Sequence, residues 1–176
     1  ARKVMKEAGK DIPLMLSVTI SDSAGRTLSG QTLEAFLASI RHAHPFSVGL
    51  NCSFGAKQLK PYLKMMASRA PYYISAYPNA GLPNSFGLYD QTPDIMAGEI
   101  KEYIEEGLVN IVGGCCGTTD EYIARYAALV KDAKPHVPVA VSSTTWLPGL
   151  ELLDITPELN FVNVGERCNV AGSRTF

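Results

Sequence analysis

The sequence predicts an α/β fold of about four βα units in a row, a fragment of a (β/α)8 TIM barrel, followed by a linker and the start of a second domain. Three observations predict it. Short apolar, β-rich runs alternate with helical stretches, and strand starts recur roughly every 25 to 35 residues, the spacing of βα units. The 176 residues fall short of the roughly 250 that a complete barrel needs. After Lys134 the helical period gives way to prolines, as in an extended segment.

Ala1–Gly9 reads as the last turns of a helix stopped by Gly9, with no start signal before it. With an ending at Phe176 inside a new unit, this suggests a piece of a longer polypeptide. Pro13 to Ile20 has the unbroken apolar, β-branched character of a buried parallel strand. Thr32 to His44 is a helix with Leu33, Phe36, Leu37 and Ile40 on one face. Phe46 to Asn51 is the next strand, Ala56 to Ala70 the next helix, and Tyr72 to Tyr77 the third strand. A turn-rich loop, Pro78 to Asn84, follows on the face where parallel strands end. Thr92-Pro93 opens a helix as N-cap and first-turn proline, and Gly107 closes it after Glu106. Leu108 to Val112 is the fourth strand. Thr118 and Glu121 have the spacing of a capping box for a helix reaching about Lys134. Residues 135–159 carry Pro135, Pro138, Pro148 and Pro157 and read as a linker with some strand near Val137 to Val141. A fresh strand begins at Asn160 to Gly165.

A formal net charge of −1 and a pI near 6.3 offer no attraction to nucleic acid or an acidic membrane surface. No apolar stretch approaches the roughly 20 residues of a membrane span, and no secretory signal opens the chain. A small-molecule substrate and a cytoplasmic location are expected. Four cysteines without a small disulfide framework fit a reducing compartment, where thiols are kept for metal or catalysis.

The cysteines carry the chemistry. Cys52 follows the strand run Val48 to Asn51, and Cys115-Cys116 follow the fourth strand within Gly113-Gly114-Cys115-Cys116-Gly117-Thr118-Thr119. Strand ends converge on one face of a parallel sheet, so the three thiols are expected to meet as one metal site. Three protein ligands leave the fourth position of a tetrahedral zinc ion open, as catalytic zinc requires. The surrounding glycines allow the sharp turn that points two adjacent side chains at one ion. A lone cysteine is usually a small buried apolar residue, and a redox pair is normally spaced Cys-x-x-Cys. Neither description accounts for an adjacent pair with a third thiol at an equivalent strand end.

With these motifs in view, the chain resembles the cobalamin-dependent methionine synthases. Leu50-Asn51-Cys52 and Val112 to Thr119 are similar to the zinc motifs of their homocysteine-binding barrel, and Asp22 to Gln31 and Pro78 to Pro83 also match. Val164-Gly165-Glu166-Arg167-Cys168-Asn169-Val170-Ala171-Gly172-Ser173 is similar to the first strand and loop of the methyltetrahydrofolate-binding barrel that follows. The resemblance implies that 1–134 is the C-terminal half of the homocysteine-binding barrel. Residues 135–159 would then be the interdomain linker, and 160–176 the start of the pterin-binding domain and the first strand of a second barrel.

The implied reaction uses Zn²⁺ held by Cys52, Cys115 and Cys116, with the homocysteine thiol as fourth ligand. A coordinated thiol is deprotonated, and the thiolate would attack the methyl group of methylcobalamin carried by another domain of the same polypeptide, giving methionine. Asn79 matches the position whose amide oxygen fills the fourth site before substrate arrives, although Asn in Pro-Asn-Ala-Gly is also an ordinary turn residue. Glu166 and Asn169 match positions that contact the pterin of 5-methyltetrahydrofolate, and Cys168 stands where the family usually has Thr. Groups for the substrate's amine and carboxylate belong to the other half of the barrel, so the fragment alone is expected to be inactive.

Remaining candidates have simpler explanations. Asn51 and Asn84 suit a strand end and a turn, His42 and His44 a helix C-terminus, and Glu99, Lys101, Glu102, Glu105 and Glu106 a solvated helix face. Ser142 to Thr145 lies in the linker, and Gly113-Gly114 lacks the Lys-Ser/Thr of a phosphate loop. Two other readings compete. One is a single-barrel homocysteine methyltransferase using betaine or S-methylmethionine, which the ending Asn163 to Ser173 opposes. The other is a structural zinc module without catalysis, which would close the fourth coordination position with a protein ligand.

Overall fold

The computed structural model describes residues 1–163 and Gly165. Its centre is a parallel four-stranded sheet in the order β1-β2-β3-β4, formed by Met15–Val18, Ser47–Gly55, Tyr73–Asn79 and Ile111–Val112. Helices alternate with these strands: α1 (Arg2–Glu7), α2 (Leu33–Ile40), α3 (Ala56–Arg69), α4 (Pro93–Glu105) and α5 (Asp120–Val130). Sequential neighbours pair in parallel throughout, as in a partial TIM barrel.

Register decides what each face does. Leu16, Val48 and Ile74 lie in one row, and Val18, Leu50, Ala76 and Val112 in another. Val48, Leu50, Ile74 and Ala76 are fully buried with Leu59, Leu63 and Met66 of α3 and Met96, Ile100 and Tyr103 of α4. The alternate row, Ser17, Gly49, Ser75 and Ile111, faces the other way, since successive side chains of a strand point to opposite sides. Gly49 is required there, because an added Cβ would stand 2.0 Å from Ser75 Oγ and 2.1 Å from the Ser75 carbonyl oxygen.

Helix signals place most starts correctly. Thr32 and Thr92 accept from the N–H groups of Ala35 and Ile95. The α2 helix stops at Ile40 rather than His44; a 3-10 turn spans Arg41–Ala43, and His44 takes a left-handed conformation. Arg2 donates to the carbonyls of Ala43 (2.8 Å) and His44 (2.6 Å), satisfying the end that the two histidines were expected to serve. The expected capping box is absent. The Thr118 hydroxyl donates to the Cys115 carbonyl at 2.7 Å instead of capping, and the N-cap of α5 is Thr119, which makes no side-chain cap bond. The helix ends at Val130.

Residues 137–144 form no strand. An antiparallel hairpin follows instead, β5 (Thr145–Pro148) with β6 (Leu152–Ile155). It lies on α2 and the loop before it. The N–H of Thr32 donates to the Leu150 carbonyl (2.9 Å), Gln31 Nε2 to the Gly149 carbonyl (3.0 Å) and Arg41 Nη2 to the Ser142 carbonyl (2.5 Å). Arg26 pairs with Glu151, and the Arg41 guanidinium sits 5.4 Å from the Trp146 ring centroid. Proline spacing hid this element, since Pro148 occupies a strand end, where a missing donor is tolerated. Residues 160–163 carry no strand; Glu166, Cys168 and Asn169 lie outside the described residues.

Candidate metal centre

The strand ends bring the three thiols together. Cys52, Cys115 and Cys116 place their sulfurs within 4.8 Å of one another, with Cys52 Sγ 3.7 Å and Cys115 Sγ 4.0 Å from Cys116 Sγ. Cys52 and Cys115 are half-buried and Cys116 is exposed, so the cluster opens to solvent on one side. No disulfide joins them.

Two backbone devices aim the sulfurs. In β2 the register breaks between Asn51 and Gly55, and Cys52 (φ 60) and Ser53 (φ 63) both adopt the left-handed region. That region costs a non-glycine residue roughly 1–2 kcal/mol, and such strain concentrates at functional sites. Ser53 donates its hydroxyl to the Ile20 carbonyl, and Gly55 pairs with Asn79, fixing the bulge at both ends. The second device is the turn after β4. The Cys115 N–H donates to the Pro78 carbonyl (2.9 Å), the Cys116 N–H to Asn79 Oδ1 (3.1 Å), and the Ala80 N–H to the Cys116 carbonyl (2.9 Å). The thiol pair is thereby sewn to the end of β3.

Asn79 is the last residue of β3 and is buried. Its amide oxygen accepts from the Cys116 N–H at 3.1 Å. Asn51 accepts from the Ser17 hydroxyl (2.8 Å) and donates to Thr19 Oγ1 (3.1 Å). Asn84 organises a turn, accepting from the N–H groups of Phe86 (2.9 Å) and Leu88 (3.0 Å).

The thiols do not titrate independently. Burial raises Cys52, but the Ser53 backbone and the side chains of Cys116, Cys115 and Asn79 outweigh it and bring its pKa below the ordinary thiol value. Cys115 goes the other way, pushed up to about 11 by burial and then by hydrogen bonding to Cys52 and its charge. One thiolate suppresses the next. Full ionisation of the cluster therefore calls for a cation among the sulfurs, and three soft donors with an open side suit a thiophilic metal ion.

The glycines around the pair prove to be seats for side chains as well as turn residues. A Cβ at Gly113 would lie 2.8 Å from the Tyr77 ring, at Gly114 2.3 Å from Thr118 Oγ1, and at Gly117 2.4 Å from Tyr89 Cβ. Tyr77, Tyr89 and the left-handed Ser53 were not singled out from the sequence. Aromatic residues have no ligand spacing, and the only signal for the two tyrosines was the run of glycines opposite them.

Among the described residues no helix is long and apolar enough to cross a membrane. A family model for homocysteine S-methyltransferase matches residues 1–130, the stretch from α1 to the end of α5 that contains all three clustered thiols. Its activity is methyl transfer to homocysteine, which such domains bind. The chain belongs to the homocysteine S-methyltransferase family.

Proposed function

We propose that the chain is the zinc-bearing, homocysteine-activating module of a cobalamin-dependent methionine synthase, working in the cytoplasm. The observation that carries this reading is the set of three sulfurs within 4.8 Å at the mouth of a parallel sheet. Among the described residues no His, Asp or Glu completes that set, so a fourth coordination position remains for a substrate thiol. Zinc, when bound, supplies Lewis acidity that holds a thiol deprotonated near neutral pH.

The chain's own residues do the rest. Cys52, Cys115 and Cys116 hold the ion, and their thiolate charge favours a nucleophilic substrate sulfur over what a histidine shell would give. Asn79 steadies the set through the Cys116 N–H; its amide oxygen is assigned the fourth position until homocysteine arrives, a role supported by its place at the end of β3 between the two cysteine-bearing strands. The methyl donor is assigned to methylcobalamin on another domain, and the pterin contacts to Glu166 and Asn169 of a following domain that begins near residue 160. Support for this part is the likeness of Val164 to Ser173 to a folate-barrel entry strand.

X-ray absorption at the zinc edge tests the reading. One zinc with three sulfurs and one light atom, converting to four sulfurs on adding homocysteine, is the expected result. Absence of zinc, or a closed shell that homocysteine leaves unchanged, would return the cysteines to a structural role.

A further inference from the structure

If β2 ran on regularly, the Cys52 thiol would not reach the mouth of the sheet. Side chains alternate along a strand, so Cys52 would continue the row of Val48 and Leu50, which are buried against the helices. Its sulfur instead lies 3.7 Å from that of Cys116, because Cys52 (φ 60) and Ser53 (φ 63) are both left-handed. That region is unfavourable for any residue with a Cβ, and the sheet ladder does not enforce it here. Pairing of β1 with β2 ends at Val18 and Leu50, and the register of β2 on β3 breaks between Asn51 and Gly55. Side chains take over where the ladder stops. Ser17 Oγ donates to Asn51 Oδ1 (2.8 Å), and Asn51 Nδ2 donates to Thr19 Oγ1 (3.1 Å). Two residues on, the Ser53 hydroxyl donates to the Ile20 carbonyl. That carbonyl is a firm anchor: Ile20 is buried and bridges Thr27, and the Ser21 N–H donates to the Arg26 carbonyl at 2.7 Å. The loop that Ile20 opens is braced from the β2 side as well, since Phe54 stacks on Tyr62 with ring centroids 6.4 Å apart and the Tyr62 hydroxyl donates to the Ser23 carbonyl at 3.2 Å.

We propose that Ser53 is a positioning residue of the metal centre: its hydroxyl, bonded to the Ile20 carbonyl, holds the left-handed turn that takes Cys52 out of the helix-facing row and keeps its sulfur among the ligands. The proposal rests on the zinc reading above. It gives β1, which supplies none of the three sulfurs, a part in the site as the support of one of them. Without the hydroxyl, the strain at positions 52 and 53 favours an extended backbone, and the thiol swings away from Cys115 and Cys116. Metal affinity, rather than folding, is what the contact secures, because the packed residues Val48 and Leu50 precede the turn.

Two variants separate the anchor from the strain. Ser53→Ala removes the hydroxyl and keeps the cost of the left-handed backbone; Ser53→Gly removes both, because glycine adopts positive φ freely. Zinc affinity is read by competition with a chromophoric chelator, beside the melting temperature of the metal-free protein. Outer-shell partners typically contribute 10–100-fold in metal affinity, so both variants should bind zinc about tenfold more weakly. Metal-free Ser53→Gly should melt close to wild type, the strain it relieves offsetting the hydrogen bond it loses. The same substitutions are then made on Cys52→Ala. If the hydroxyl acts through Cys52, neither lowers affinity further there, the non-additivity expected of directly coupled residues. Ser68→Ala, which removes an exposed hydroxyl bonded to the Met65 carbonyl of α3 (2.8 Å), should change neither readout. Wild-type affinity in either Ser53 variant, an equal loss in the Cys52→Ala background, or a melting temperature of Ser53→Gly that falls with its affinity would overturn the proposal and leave the zinc reading intact. Wild-type protein that takes up no zinc would overturn both. Should Ser53→Ala fold poorly, Ser53→Gly, free of the strain, carries the comparison alone.

Discussion

Cys52 shows how a single residue's backbone can matter as much as its side chain. Left-handed φ at Cys52 and Ser53 turns the chain so that a thiol leaving β2 meets one arriving after β4. Its removal should be costly in a specific way: Cys52→Ala is expected to lower zinc affinity more than roughly 100-fold, beyond the 10–100-fold usual for outer-shell changes. Chelator competition measures this, and a variant retaining wild-type affinity would remove Cys52 from the ligand set. Protonation gives a second prediction. In the metal-free protein Cys115 is raised to about 11, so zinc must displace its proton, and binding releases protons to solvent. Affinity should therefore climb steadily between about pH 6 and 8; a flat profile would mean that Cys115 is not bound as a thiolate. Packing yields a third. Gly49→Ala puts a methyl group 2.1 Å from the Ser75 carbonyl, and because backbone cannot step aside cheaply, the cost should be about 3 kcal/mol in urea unfolding.

At the scale of elements, the parallel units were legible because their apolar runs and caps are local. Thr32 and Thr92 cap as their positions suggest, and the first three strands start within two residues of expectation, whereas β4 starts at Ile111 rather than Leu108, all inside the usual uncertainty of boundaries. The thiol site was legible for a related reason: cysteine is chemically distinctive, and parallel strand ends must converge. What escaped was decided by tertiary contact. The Thr118 hydroxyl serves the Cys115 carbonyl instead of a helix cap, and Cys52 sits inside a bulge whose partner, Asn79, is 27 positions away. The hairpin of β5 and β6 escaped as well, since its stability comes from α2 rather than from its own proline-bearing strands. Trp146 is the joint, packed on the core cluster beside Arg41. Trp146→Ala should free the hairpin, so that limited proteolysis cuts within 137–150 at lower protease concentration while the fragment carrying β1 to β4 survives. Equal resistance of variant and wild type would show that the hairpin docks without the indole.

Across the whole molecule, the thiols link elements that are far apart in the chain. Cys52 belongs to β2, Cys115 and Cys116 follow β4, and Asn79 of β3 lies between them, so a metal ion at this point would tie three of the four central strands at their C-terminal ends. The helix-facing core of Leu59, Leu63 and Met66 stabilises the opposite side of the sheet and does not depend on the ion. Metal removal should accordingly loosen one end of the fold and leave the other. A ligand at about 100 times its dissociation constant adds about 2.7 kcal/mol to stability, equivalent to roughly 5–10 °C in melting temperature for a chain of this length. A chelator should lower the midpoint by that amount, with amide exchange accelerating first at residues 51–55 and 113–118 while residues 59–66 of α3 keep their protection. If the midpoint falls and exchange rises evenly through α3 as well, the metal supports the whole core rather than the strand ends; if neither changes, the cluster holds no ion that matters to the fold.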